Sequence, residues 1–186
     1  MIMIIAISGT PGVGKTSVAK GLKRIISANF ISLHSILVRK KINYGYDAER
    51  KTRIVSIKDL KKAIKKLIKK DKINIIEGHL AHLLDADLII ILRCMPDVLE
   101  KRMKKKRWSK NKITENLHSE ILDSITIEAL ENNKRNKVLE IDTTGKTASE
   151  TAKIIKKILN NYSHQKKYAA GMIDWSERFA NYLIKK

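Results

Sequence analysis

A five-stranded parallel sheet flanked by helices on both faces is the α/β fold class this sequence predicts, and three observations predict it. Short apolar, β-branched runs alternate with helical periods along the chain. The first run, Ile2–Ile7, leads straight into a glycine-rich loop and then a helix. That loop, Gly9–Thr16, reads G-T-P-G-V-G-K-T and fits G-x-x-x-x-G-K-[ST] at every fixed position. Strand, glycine loop and helix N-terminus together make the phosphate site of a P-loop NTPase, where backbone N–H groups and the helix dipole favour an anion. The motif assigns Gly12, Gly14, Lys15, Thr16 and Ser17 to ATP, with Lys15 reaching the β- and γ-phosphates and the Thr16 hydroxyl ligating Mg²⁺.

The remaining elements follow in order. After the first helix, Thr16–Ile26, a short strand is expected at Asn29–Leu33 and a helix near Ser35–Lys41. Gly45 between Tyr44 and Tyr46 marks a turn. Ile57–Lys70 carries an apolar stripe (Ile57, Leu60, Ile64, Leu67, Ile68) opposed by lysines, the pattern of a helix laid over a sheet. A third strand ends at Glu77, followed by Gly78 and His79, and a fourth, Leu88–Leu92, ends at Arg93. Pro96 and Asp97 suit the first turn of a helix reaching about Met103. One long helix is expected from Asn111 or Thr114 to about Asn132, then a fifth strand at Val138–Ile141 and a helix at Ala148–Leu159. Ligands of such sheets sit beyond the C-terminal strand ends, and Gly9, Glu77, His79 and Arg93 all fall there.

The chain has 186 residues, enough for one domain with a substantial core. No apolar run approaches the roughly 20 residues of a membrane span, so no membrane association is expected. Ile2–Ile7 has no basic leader, as befits a strand rather than a secretory signal. The single cysteine, Cys94, excludes an internal disulfide and suits a reducing, cytoplasmic setting; it is expected as a small buried hydrophobe. Lys and Arg number 39 against 19 Asp and Glu, a formal net charge of +20. Such a field draws nucleotides or RNA, but a genome-wide bias toward Lys, Ile and Asn would produce the same excess, so charge alone assigns no partner.

Five segments in this order resemble a known family: G-T-P-G-V-G-K-T; L-V-R-K-K followed by Y-G-Y-D; I-I-E-G-H; I-I-I-L-R-C-M-P; and a basic loop before I-T-E-N. The set is similar to the adenylate kinase isoenzyme-6-like proteins, archaeal or nuclear nucleoside monophosphate kinases linked to maturation of the small ribosomal subunit. The resemblance implies a nucleoside-monophosphate-kinase-like domain over 1–162, with a monophosphate-binding segment at 30–53 and a short lid at 104–112; residues 163–186 lie outside the match and read as a C-terminal helical extension. It implies Mg²⁺ with ATP as substrate, transfer to AMP to give two ADP, a possible ATPase activity, and as partners a small-subunit ribosomal protein and pre-ribosomal RNA.

Residue by residue, Arg39 matches the family arginine at the acceptor phosphate and His79 the family histidine. Glu77 stands where relatives carry an aspartate, and would hold Mg²⁺ through a water. In the lid, relatives have R-G-Y where this chain has Lys106, Arg107 and Trp108, so either Lys106 or Arg107 takes the family arginine's role at ATP. Lysine supplies charge without arginine's bidentate fork.

Several roles have plainer alternatives. Lys15, Glu77 and His79 form the expected catalytic set, with His79 orienting water if the chain hydrolyses ATP, or merely bonding the strand end. Glu77 could instead pair with a lysine. Arg93 could contact the AMP phosphate or pair with a carboxylate. Tyr46, Tyr44 and Trp108 could stack on a base or pack. In the extension, D-W-S-E (Asp174–Glu177) suggests a helix N-cap, with Trp175, Phe179, Tyr182 and Leu183 on one face docked against the body.

Overall fold

The computed structural model describes residues 2–40, 45–47 and 52–184. Strand β1 (Met3–Gly9) runs into the glycine loop and helix α1 (Lys15–Ile26); β2 (Asn29–Ser32) and α2 (Leu33–Lys40) follow. A two-stranded antiparallel ribbon, β3 (Gly45–Asp47) and β4 (Thr52–Ile54), precedes α3 (Ile57–Lys65). The chain continues through β5 (Ile73–Glu77), β6 (Leu88–Arg93), α4 (Pro96–Lys105), α5 (Lys110–Ile121), α6 (Ser124–Asn132), β7 (Val138–Asp142) and α7 (Ala148–Asn160). Two short helices, α8 (Tyr162–Gln165) and α9 (Ala180–Ile184), belong to the C-terminal segment.

The main sheet has five strands in the order β2-β5-β1-β6-β7, all parallel, as expected. Alternation along its strands divides the core in two. Ile5, Ile7, Leu88, Ile90 and Leu92 face the α1, α5 and α7 side. Ala6, Ile89 and Ile91 face the side of α2, α3 and α6. Both faces are dry, so the strands are apolar throughout. The parallel register sets Ile7 beside Glu77, Gly9 beside Leu92 and Arg93 beside Asp142, so the expected site residues gather along one edge.

Four elements depart from expectation; Gly45, expected in a turn, opens strand β3. Helix α3 stops at Lys65 rather than Lys70. The fully buried Asn74 side chain accepts from Lys69 N–H (2.9 Å) and donates to the Lys69 and Lys72 carbonyls (both 2.9 Å). Those backbone groups are therefore satisfied in a turn instead of a helix. The expected long helix breaks into α5 and α6 at Asp123, whose φ is 52°. Aspartate tolerates that left-handed conformation, and it directs the carboxylate onto Arg93. In the C-terminal segment Asp174 Oδ1 accepts from Ser176 N–H (2.7 Å), making a turn, and the helix begins only at Ala180.

The segment is docked, as the aromatic stripe implies. Buried Phe179 joins the core, Trp175, Tyr182 and Leu183 pack against it, and His118 bonds the Tyr182 carbonyl at 2.8 Å. No helix among the described residues is long and apolar enough to cross a membrane.

Candidate active site

The glycine loop sits where β1 ends. Gly9 has φ 133°, and a Cβ there would lie 2.3 Å from the Leu92 carbonyl oxygen of the neighbouring strand. Only glycine lets the chain leave the sheet so close to β6. Gly14 caps α1 at φ 108° with open space around it, leaving the helix N-terminus unobstructed for an anion.

Lys15 folds back over this loop. Its ammonium donates to the carbonyls of Gly9 (2.8 Å) and Thr10 (3.1 Å), and the side chain is 8% exposed. Burial lowers its pKa to about 8, against the pull of Glu77 and Glu120, with Lys106 lowering it further. A proton-bearing lysine held on two carbonyls is poised to exchange them for phosphate oxygens.

The Thr16 hydroxyl donates to Glu77 Oε1 at 2.8 Å. Glu77 is 5% exposed, and its Oε2 is buried without a hydrogen-bond partner. An orphaned carboxylate oxygen beside a hydroxyl fits a hydrated Mg²⁺, which takes one or two protein oxygens and keeps several waters and phosphate ligands. The residues therefore suit the ion, and Thr16 and Glu77 are the ones that would hold it. His79 follows at the same strand end, reaching solvent. Its pKa is lowered by the protein packed around it, then by the Lys15 and His82 charges, which favours the neutral imidazole. Its carbonyl accepts from Ser8 Oγ (2.9 Å), and the same Oγ lies 2.8 Å from His82 Nδ1.

The expected lid at 104–112 is largely helical. Helix α4 runs to Lys105, a turn spans Lys106–Ser109 with Arg107 at φ 56°, and α5 starts at Lys110. Lys106 is the lid cation whose charge reaches Lys15. Trp108 packs against the core with the Lys112 ammonium 4.5 Å from its ring centroid.

Two neighbours of the loop escaped the sequence analysis. Arg102 of α4 donates to Val13 O (3.3 Å), Thr143 Oγ1 (3.3 Å) and Thr143 O (3.1 Å). It lines a cavity of about 170 Å³ with Gly12, Val13, Thr143, Lys146 and Thr151. Glu120 of α5 accepts from the Thr10 hydroxyl. Both residues lie three positions after inward leucines, Leu99 and Leu117, and polar groups on an apolar face were the available signal. A larger groove, about 1130 Å³ between α4, α5 and Tyr182, lies apart from the glycine loop.

Arg93 corrects an expectation. It is 2% exposed and holds three carboxylates: Glu120 (2.8 Å), Glu140 (2.5 Å) and Asp123. It also bonds the Glu120 carbonyl at 2.9 Å and the Ile173 carbonyl at 3.4 Å. Burial opposes its charge, but the carboxylates hold its pKa above the usual value. With every guanidinium nitrogen engaged and no water access, Arg93 is a structural hub and does not face an AMP phosphate. Arg39 lies in α2 and Tyr46 in β3, with side chains outside the described residues, as is all of Tyr44. Cys94 is buried, as expected.

This arrangement has counterparts in known proteins. The AAA domain family matches residues 5–123. A protein of Methanocaldococcus jannaschii named "Putative adenylate kinase" is 35% identical over 181 residues, 97% of this chain and 97% of its own. A protein of Pyrococcus furiosus with the same name is 38% identical over 175 residues, 94% and 92% of the two chains. The chain belongs to this adenylate kinase-like, AAA-domain family.

Solved structures agree on the fold of the family member described here. A shikimate kinase from Acinetobacter baumannii superposes with TM-score 0.60 at 18% identity, covering 87% of this chain and 95% of its own. A thymidylate kinase from Candida albicans gives 0.56 at 15%, covering 88% and 93%. At such identities the likeness speaks for the fold alone. In this chain the fold brings Lys15, Thr16 and Glu77 together at the glycine loop.

Proposed function

We propose that the chain transfers the γ-phosphoryl group of Mg²⁺·ATP to AMP, giving two ADP, in the cytoplasm. The observation that carries this reading is the Thr16–Glu77 pair, with its orphaned carboxylate oxygen next to the parked Lys15. The names of the archaeal relatives support adenylate kinase chemistry. Mg²⁺, when bound, would neutralise charge between the β- and γ-phosphates.

The protein's own residues would do the rest. Lys15 leaves the Gly9 and Thr10 carbonyls for the phosphates, and the loop N–H groups cradle them. Arg102 and the cavity between the loop and Thr143 offer a place for the base. Lys106, with Arg107 as the alternative lid cation, adds positive charge over the transferring group. Arg39 and Tyr46, both in the expected acceptor segment, would bind AMP by the resemblance noted above. An AMP phosphate oxygen is already anionic, so its attack needs no general base.

A second activity, ATP hydrolysis, is favoured by one feature: a solvent-reaching His79 at the strand end next to Glu77, close enough to feel the Lys15 charge. It could orient an attacking water. In that reading the protein is an ATPase-switched assembly factor of the isoenzyme-6-like kind, with a ribosomal protein and pre-ribosomal RNA as partners. The lysine-rich exposed faces suit RNA.

Chromatography of nucleotides from reactions with Mg²⁺·ATP, with and without AMP, tests the choice, with Lys15→Ala as control. Consumption of AMP with ADP formed in twofold amount upholds the kinase. ADP and free phosphate appearing equally fast without AMP would make the chain chiefly an ATPase.

A further inference from the structure

We infer that Glu120 is a positioning residue for the glycine loop, holding Thr10 so that the lysine-bearing loop and the helix following the lid move as one unit. The inference rests on the nucleotide-kinase reading of the loop. Thr10 is 1% exposed, and its hydroxyl donates to Glu120 Oε2. The Thr10 carbonyl is one of the two on which Lys15 rests. Glu120 is also 1% exposed, and its other oxygen accepts from Arg93 Nε (2.8 Å) and Cys94 N–H (3.0 Å). One carboxylate thus ties the glycine loop to the end of β6 and to α5, which starts just beyond the lid turn.

A carboxylate between Leu117 and Ile121 on the apolar face of α5 carries a desolvation cost that an apolar side chain there would avoid. Arg93 offsets that cost, yet Arg93 does not require Glu120 alone, since Asp123 and Glu140 also hold it. The oxygen turned to Thr10 is spent on the loop. Lys15 registers the same charge, which favours its protonated form. Glu120 therefore acts through Thr10 on the position of the phosphate-binding lysine, without touching substrate.

Four variants separate this role from plain structural support. Thr10→Val removes the hydroxyl and keeps the shape; Thr10→Ser restores it. Glu120→Gln removes the charge, and Glu140→Gln weakens the Arg93 cluster at a point remote from the loop. The measurements are affinity for the Mg²⁺ complex of a fluorescent N-methylanthraniloyl-ATP, steady-state ADP formation, and thermal midpoint. Thr10→Val and Glu120→Gln should each lower kcat/KM for ATP about tenfold or more, with KM for AMP unchanged. The double variant should be no worse than Glu120→Gln alone, because both break one contact, and Thr10→Ser should recover most of the loss. Glu140→Gln should lower the thermal midpoint and leave kcat/KM for ATP as it was.

Native ATP affinity and turnover in Thr10→Val, or additive losses in the double variant, would overturn the proposal. If Glu120→Gln does not fold, the Thr10→Val and Thr10→Ser pair decides. If the unmodified chain binds ATP but ignores AMP, the kinase reading fails, and the ATP affinity of Thr10→Val still decides the positioning role.

Discussion

Glu77 receives the Thr16 hydroxyl on one carboxylate oxygen at 2.8 Å and leaves the other buried and unpartnered. A buried acceptor without a donor costs roughly 1–3 kcal/mol, and a hydrated cation would relieve it. Glu77→Gln keeps the size and the Thr16 contact but loses the charge. The half-saturating Mg²⁺ concentration for ADP formation should rise about 10- to 100-fold, with Mg²⁺-free nucleotide binding little changed. A Mg²⁺ titration of the two proteins measures it.

Lys15 is expected to carry the largest single effect. Lys15→Ala should lower kcat by roughly 10²–10³. The buried ammonium, with its pKa lowered to about 8, also gives a pH signature. Phosphate binding raises that pKa again, so above pH 8 ATP binding must take up a proton, and affinity should fall as pH rises through 8. Titration calorimetry in buffers of different ionisation heat reads the uptake, and Lys15→Met should abolish it. The stability effect has its own sign. Between about pH 8 and the ordinary lysine value of 10.5 the unfolded chain binds more protons at this group. Its contribution to stability therefore grows with pH across that window.

Kinase and ATPase activities should part at two residues. His79→Gln should lower AMP-independent phosphate release about tenfold or more and spare ADP formation from AMP. Arg39→Ala should do the reverse, removing AMP-dependent ADP formation and sparing hydrolysis. Parallel assays of ADP and free phosphate on both variants check this, and equal loss of both activities in either one ends the division of labour.

Arg93→Met should be among the most destabilising changes. It strands Glu120, Asp123 and Glu140 in or near the interior. Breaking a buried charge network by removing one partner costs about 3–5 kcal/mol. Urea unfolding followed by circular dichroism measures it. Burial already raises the Asp123 pKa against the pull of Arg93, and loss of Arg93 should raise it further.

What the sequence by itself determined are the features written in contiguous residues. Strand, glycine loop and helix are local patterns, so the fold class and the placement of Lys15 and Thr16 at the loop were legible from residues 2–26. Short apolar runs likewise announced the other strands of the main sheet, though not the β3–β4 ribbon, and the strand ends located Glu77 and His79. The tertiary structure alone decided what depends on charge partners far apart in the chain. Arg93 looked like a phosphate ligand because it ends a strand at the ligand-binding edge. Its three carboxylates come from two other elements and a helix break, and no local pattern joins them. Asp123 breaks the expected long helix for the same reason, since its left-handed backbone serves a contact 30 residues away. Arg102 and Glu120 were passed over because helix period reports burial, whereas the partner met inside depends on how helices and sheet dock. Short-range periodicity specifies elements, and only packing brings together the polar groups that must satisfy one another once water is gone.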